Sequence, residues 1–360
     1  MKKSAMYGVA LFLGLFGSAS ALAESPAKTT VIADDLAYPW SVAALPEGGF
    51  LVTERAGQLV FVTANGTKQT VSMSLPDLYA TAQAGLFEVL LTPDFEQSRE
   101  LVLSYACGTD AANNTCVVKA TLSAQAPYSL LNTQNIFTAL PKKAGAAHYG
   151  ARMTWLGDGT LLVALGDGFV HREQAQQLDN HLGKIVRIAR DGSTPADNPY
   201  QHSNASQIFS YGHRNVQGLI YDEQRDAIWQ HEHGPKGGDE LNKIVAGANY
   251  GWPIATYGID YTGAKVSPFE QLPGVKAPLF VWTPSLAPAG LALYNGDLLV
   301  AHLVGKRLQR LSYDNGRWVL TDAYLSELGQ RIRAVYTSPQ NNVYVLTDSA
   351  NGQLIKVELP

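Results

Sequence analysis

Charge is scarce in this chain: 16% of its 360 residues are Asp, Glu, Lys or Arg, 27 of them basic and 31 acidic. A net charge of −4 offers no basic field to displace counterions from phosphates, which excludes a general nucleic-acid binder. Low charge beside 46% hydrophobic residues also excludes intrinsic disorder. Cysteine is nearly missing, with two copies, and no second Cys or His pair stands nearby at zinc-ligand spacing. Beyond the N-terminus no run is apolar enough to span a bilayer, which takes roughly 20 residues. What the chain does hold is 33 Gly and 18 Pro, a supply of turn formers that suits many short strands better than long helices.

The N-terminus reads as an export leader. Lys2 and Lys3 precede an apolar run from Tyr7 to Phe16, and Ala21-Leu22-Ala23 before Glu24 is a small-residue cleavage pattern. Residues 1–23 are therefore expected to be removed, leaving 24–360 as one domain in the periplasm. The cysteines agree with export. Cys107 and Cys116 flank a turn-forming stretch from Gly108 to Asn114, and an oxidising compartment would join them across a hairpin.

The rest is repetitive. Phe50 to Arg55 leads through Ala56-Gly57 into Gln58 to Val62, and Asp297 to Ala301 leads through Val304-Gly305 into Lys306 to Leu311. Asn342 to Leu346 leads through Asn351-Gly352 into Gln353 to Val357, while Thr160 to Leu165 and Lys184 to Ile188 supply two more halves. Strand, turn and strand at a period of roughly 40–60 residues signal a propeller. The expected fold is all-β, a six-bladed β-propeller of four-stranded antiparallel blades, in preference to a β-sandwich. Chemistry then belongs in the irregular segments between blade strands.

Four polar clusters stand out. His148-Tyr149-Gly150-Ala151-Arg152 precedes a strand whose exit carries Asp167, an acid able to orient a histidine base. Tyr211-Gly212-His213-Arg214-Asn215-Val216-Gln217-Gly218 offers several donors and no negative charge, which suits an anionic or carbonyl-rich ligand. His231 and His233 lack further zinc ligands, whereas the Gly, Pro, Asp and Glu residues from Gly234 to Glu240 offer the hard oxygens that calcium prefers. Arg331 and Arg333, at i and i+2 of a strand, face one side and could clamp a multiply charged carboxylate.

The order of these segments resembles the soluble quinoprotein aldose sugar dehydrogenases and is similar to soluble glucose dehydrogenase. The likeness runs from Tyr38-Pro39-Trp40-Ser41 through Gln83-Ala84-Gly85-Leu86, His148-Tyr149-Gly150, Tyr211 to Gly218, His233-Gly234-Pro235 and Gly238-Asp239-Glu240 to Arg331-Ile332-Arg333. It implies bound pyrroloquinoline quinone (PQQ), an ortho-quinone with three carboxylates, together with Ca2+. By the same resemblance His148 is the general base on the sugar's anomeric hydroxyl, Asp167 holds its tautomer, and Arg214 stabilises the oxyanion growing on the quinone. Gln83, Asn215, His233, Tyr261, Trp282, Lys306, Arg331 and Arg333 are the further cofactor contacts it implies. Gly234 and Pro235 would hold calcium through their carbonyls, and Glu240 and Tyr250 match positions that bind a structural calcium in some relatives. The expected products are a lactone and a reduced cofactor that passes electrons to an external acceptor.

Departures exist. Leu279 stands where the strict glucose enzymes have tyrosine, His233 replaces an amide, and Val304 falls at the lysine position unless Lys306 is shifted into it. These changes place the chain with the broader aldose enzymes. Apparent loss of dimer-shaping insertions points to a monomer. Two alternatives are a calcium-dependent sugar lactonase, which needs a carboxylate-rich metal site and no arginine clamp, and a non-catalytic carbohydrate-binding propeller.

Overall fold

The computed structural model describes residues 26–360. The expected leader, residues 1–23, lies outside them. Six sheets of four antiparallel strands form six blades. Their innermost strands are Pro39–Ala44, Leu86–Leu91, Gly150–Trp155, Val216–Asp222, Pro288–Tyr294 and Ile332–Thr337 (blades 1 to 6), neighbours in a closed ring. The ring closes by strand exchange between the chain ends: Lys28–Leu36 pairs with Gly352–Glu358 and becomes the outer strand of blade 6.

Closure explains the composition. Each blade is covered on both faces by its neighbours, so strands such as Leu161–Leu165 are apolar along their whole length rather than alternating. The core is accordingly six wedges between blades, with a seventh cluster around Trp40, Phe87 and Tyr149. One packs Leu51 and Leu59 of blade 1 on Leu101 and Leu103 of blade 2; another packs Val102 and Val117 on Val163 and Val186 of blade 3. The wedge between blades 4 and 5 holds Trp229, Trp282 and Trp318. The hairpins expected from the repeats are present, for example Phe50–Glu54 with Gln58–Val62 and Val343–Thr347 with Gly352–Glu358.

The Cys107–Cys116 disulfide is formed. Its hairpin is tighter than expected: strands Glu100–Thr109 and Ala112–Leu122 run on until Asp110 and Ala111 alone remain for the turn.

One device recurs in all six blades. The register between each innermost strand and the next slips near the innermost strand's start, as between Gly150 and Met153, Val216 and Gly218, and Ile332 and Ala334. Such bulges bend a strand and re-aim its side chains. Here they turn the strand entries towards the channel axis at one mouth.

Candidate functional site

At that mouth lies a cavity of about 300 Å³. Every blade contributes to it from a strand entry or the loop before one: Trp40, Gln83 and Phe87, His148, Arg214 with Asn215 and Gln217, Ala287, and Arg331 with Arg333. A larger cavity of about 1040 Å³ occupies the opposite half of the channel, and there Glu88 pairs with Arg152 and Asp222 with Arg225.

His148 is buried and fixed from three sides. Its amide donates to Gln83 Oε1 at 3.0 Å, its Nδ1 lies 2.7 Å from Asp167 Oδ1, and the Phe169 ring meets it edge-on at 5.0 Å. Backbone at φ 52° for His148 and 69° for Phe169 is left-handed, which for residues with side chains costs of order 1–3 kcal/mol. Gly166 makes room for this bend, since a Cβ there would stand 2.1 Å from the His148 carbonyl oxygen.

Asp167, fully buried, also accepts Phe169 N–H at 2.8 Å and Trp252 Nε1–H at 2.8 Å. Burial pushes its carboxyl up, but the bond to His148, the Phe169 amide and the Arg214 charge outweigh that and hold it below the usual range. Burial, with the nearby charges of Arg214 and Lys143, pushes His148 down against the pull of Asp167. The ring is therefore neutral at neutral pH. With Nδ1–H pointing at Asp167, the Nε2 lone pair is left for a proton.

Arg214 faces this base. Its Nη1 donates to the carbonyls of His233 (3.1 Å) and Gly234 (2.8 Å), and Nη2 donates to the Tyr261 hydroxyl at 3.3 Å. Buried Glu232 accepts the Arg214 and Asn215 amides and so anchors this strand entry. Across the cavity Arg333 donates to Gln217 Oε1 (3.3 Å) and to Asp348 (3.3 Å), which also takes Arg331 at 3.0 Å. Arg333 Nε is buried with no partner, an orphan donor at the cavity wall. Burial and the charges of Arg152 and Arg331 pull Arg333 down to about 10 despite Asp348. Four lining arginines (55, 214, 331 and 333) thus face one lining carboxylate, a surplus of positive charge that calls for an anion.

The cavity brings together Gln83, His148, Arg214, Asn215, His233, Tyr261, Arg331 and Arg333, with Asp167 directly behind. Two expected contacts stand outside this lining. Trp282 lies in the outer strand Phe280–Trp282, buried between blades 4 and 5 with its indole N–H on Gln309 Oε1 at 2.8 Å. Lys306 is exposed and outside the lining, and Val304 takes the place at the cavity wall.

Of the residues expected around metal, Gly234, Glu240 and Tyr250 line a second space of about 10 Å³, together with Glu232 and Thr256. Burial and the Glu232 charge push Glu240 well up, as befits two neighbouring buried carboxylates. The Tyr250 phenol donates to the Lys243 carbonyl and accepts the Val245 amide, which leaves its main-chain carbonyl as the available ligand. Pro235 lines neither space.

Sequence reasoning missed Asp348, Phe169 and Lys143. A signal for Asp348 existed. The residue ending or just following the second strand braces the inner-strand entry in several blades: Glu54 on the Ala37 amide, Asp167 on His148, Glu232 on Arg214, and Asp348 on Arg333. Lys143 is buried behind His148, over the Tyr149 ring at 4.2 Å and pulled by burial to about 8, and nothing in its spacing marked it.

Buried histidines also carry a stability prediction. Burial pulls His181 down to about 4 and His231, His233 and His302 each to about 3, against an ordinary value near 6.5. Below pH 6.5 the unfolded chain takes up protons that these folded imidazoles refuse. Each therefore costs about 1.4 kcal/mol per pH unit as the pH falls towards its folded value. The raised carboxyls of Glu88, Asp239 and Glu240 act oppositely, and His148 adds a fifth depressed imidazole to these four. The urea midpoint is expected to drop steeply from pH 6.5 to 5; a flat midpoint would contradict the burial of these rings.

The family model for glucose/sorbosone dehydrogenases matches residues 36–356. An aldose sugar dehydrogenase of Escherichia coli (strain K12) is 39% identical over 94% of this chain and 95% of its own length. The crystal structure of the soluble aldose sugar dehydrogenase from Escherichia coli in its apo form has a TM-score of 0.88 at 37% identity, covering 92% of this chain and 99% of that one. The PQQ-bound form of an aldose sugar dehydrogenase from Streptomyces coelicolor has a TM-score of 0.78 at 26% identity, covering 94% of this chain and 100% of that one. The fold and the family are those of a propeller oxidoreductase acting on sugars. More narrowly, the chain belongs to the glucose/sorbosone dehydrogenase family.

Proposed function

We propose that the chain oxidises the anomeric carbon of aldoses to the lactone with PQQ, with His148 as general base and a periplasmic location after loss of residues 1–23. The observation that carries this reading is a neutral base, locked by Asp167, in one cavity with an arginine surplus and an orphan Arg333 donor. A tricarboxylate fits those donors, and a planar one suits the walls of Trp40, Phe87 and Tyr261. When bound, the quinone supplies the hydride acceptor.

The chain's own residues do the rest. Arg331 and Arg333 bind carboxylate, held in position by Asp348. Gln83 and Asn215 orient the ligand in the cavity, and His148 Nε2 takes the anomeric hydroxyl proton. Asp167 keeps hydrogen on Nδ1 and stabilises the imidazolium that results. Arg214 directs positive charge at oxygen that becomes anionic, a contribution commonly worth a few kcal/mol. Calcium fits the carboxylate and carbonyl oxygens around Glu240 in chemistry. At Gly234 the carbonyl already accepts Arg214, so a second cation there would share that oxygen. A lactonase centre would need carboxylates in the cavity, and the one that lines it, Asp348, is tied to arginines.

The test is reconstitution of the apoprotein with PQQ and Ca2+, followed by dye reduction with a panel of aldoses. Lactone formation is expected; no reduction with any aldose would sink the reading. Asp167→Asn should retain quinone binding and lose roughly 10²–10⁴-fold in kcat, because an amide NH2 facing Nδ1 moves the ring hydrogen to Nε2. Weaker quinone binding with kcat intact would assign Asp167 a different role.

A further inference from the structure

One side chain joins the walls of the two cavities. Arg152 projects from the innermost strand of blade 3 and is 6% exposed. Its Nε donates to the Gln217 carbonyl of blade 4 at 2.8 Å. Nη2 donates to the Ala289 carbonyl of blade 5 at 2.9 Å and to the Arg333 carbonyl of blade 6 at 3.4 Å. Nη1 donates to Glu88 of blade 2 at 3.2 Å, and the guanidinium lies 3.9 Å over the Trp40 ring of blade 1. One residue of the third blade thus touches all five others.

We propose that Arg152 is the positioning residue of the anion site. Three of its partners, Trp40, Gln217 and Arg333, line the upper cavity, whereas Arg152 and Glu88 line the lower one. The guanidinium therefore sets where the Arg333 and Gln217 backbones stand relative to His148, four residues upstream on its own chain segment. A planar fork with five donors can satisfy several carbonyls at once; an ammonium cannot hold that geometry. The innermost strands converge here, and buried carbonyls left without this donor would seek other partners by shifting. The inference rests on the proposed function for the identity of the ligand but not for the wiring.

The test separates the two. Arg152→Lys keeps the charge opposite Glu88. In the apoprotein, hydrogen exchange is expected to rise together in Val216–Asp222, Pro288–Tyr294 and Ile332–Thr337, in three different blades. Change confined to Gly150–Trp155, or none, would overturn the proposal. In parallel, PQQ affinity measured by tryptophan quenching, at a temperature where the variant is folded, is expected to weaken by about ten-fold or more. Unchanged affinity in the folded variant would leave Arg152 a merely structural strut and overturn the positioning role. Should the wild type itself not bind PQQ, the proposed function fails while the exchange result still decides the wiring. If Arg152→Lys does not fold, Arg152→Met with Glu88→Gln, which strands no buried charge, answers the same two questions.

Discussion

His148→Gln is expected to bind the quinone as the wild type does and to lose about 10³–10⁴-fold in kcat, near the upper range for removal of a general base. Gln83 Oε1 is held by the amide of residue 148, not by its side chain, so the neighbouring cofactor contact survives. A glutamine amide can still meet Asp167, which keeps that buried carboxylate partnered, but it presents no basic nitrogen to a hydroxyl. The pH profile gives an independent readout. His148 is pushed below the ordinary histidine value, and its active form is the neutral one. Activity should therefore hold as the pH falls through 6.5 and decline only below it, and this acid limb should vanish in the residual activity of the variant. Stopped-flow reduction of the loaded protein, followed by absorbance against pH, measures both. Unchanged turnover would remove His148 as the base.

The parts of this protein that could be read from its sequence are those encoded by local pattern. Hairpins such as Phe50–Glu54 with Gln58–Val62 announce themselves through alternation and a Gly turn, and six repeats of that unit determine the architecture. His148 with Asp167 was visible because a strand's exit is local. Arg331 and Arg333 were visible as a close pair, although Arg331 precedes the strand Ile332–Thr337 and the two meet through Asp348 rather than through strand alternation. Depth from the channel axis is not local. Trp282 and Lys306 sit at plausible positions along the chain, yet one strand lies in the outer layer of blade 4 and the other residue points to solvent. Asp348, and the reach of Arg152 beyond the cluster that contains it, went unseen for a related reason. Each acts across blades or strands, on carbonyls and guanidinium groups whose approach depends on ring closure and on six register slips that no single segment reports.

Arg331→Gln with Arg333→Gln and Asp348→Asn is expected to weaken quinone binding by roughly 10²–10⁴-fold, since each charge-assisted bond to a carboxylate contributes about 1.5–3 kcal/mol. The third substitution matters to the design. Asp348 is held below the ordinary carboxylate range: burial pushes it up, and Arg333 and Arg331 more than compensate. Removing both arginines alone would leave a largely buried charge unpaired, a loss of stability of about 3–5 kcal/mol that would be mistaken for a loss of binding. With Asp348→Asn included no carboxylate is stranded and Arg55 is the cation that stays beside it, so the fluorescence titration reports the clamp itself. Salt adds a second axis. Wild-type affinity should fall with ionic strength, because arginine charge supplies part of it, and the triple variant should show a shallower dependence. The kcat of the fully loaded variant should fall far less than that of His148→Gln, because these arginines stand on the far side of the cavity from the base. A clamp that holds the ligand and a base that moves the proton are separate devices, joined by the Arg333–Gln217–Asn215 chain that ends on the Gly150 amide beside His148. If the triple variant lost turnover at saturation as completely as His148→Gln, that chain would be transmitting position to the base, and the two devices would be one.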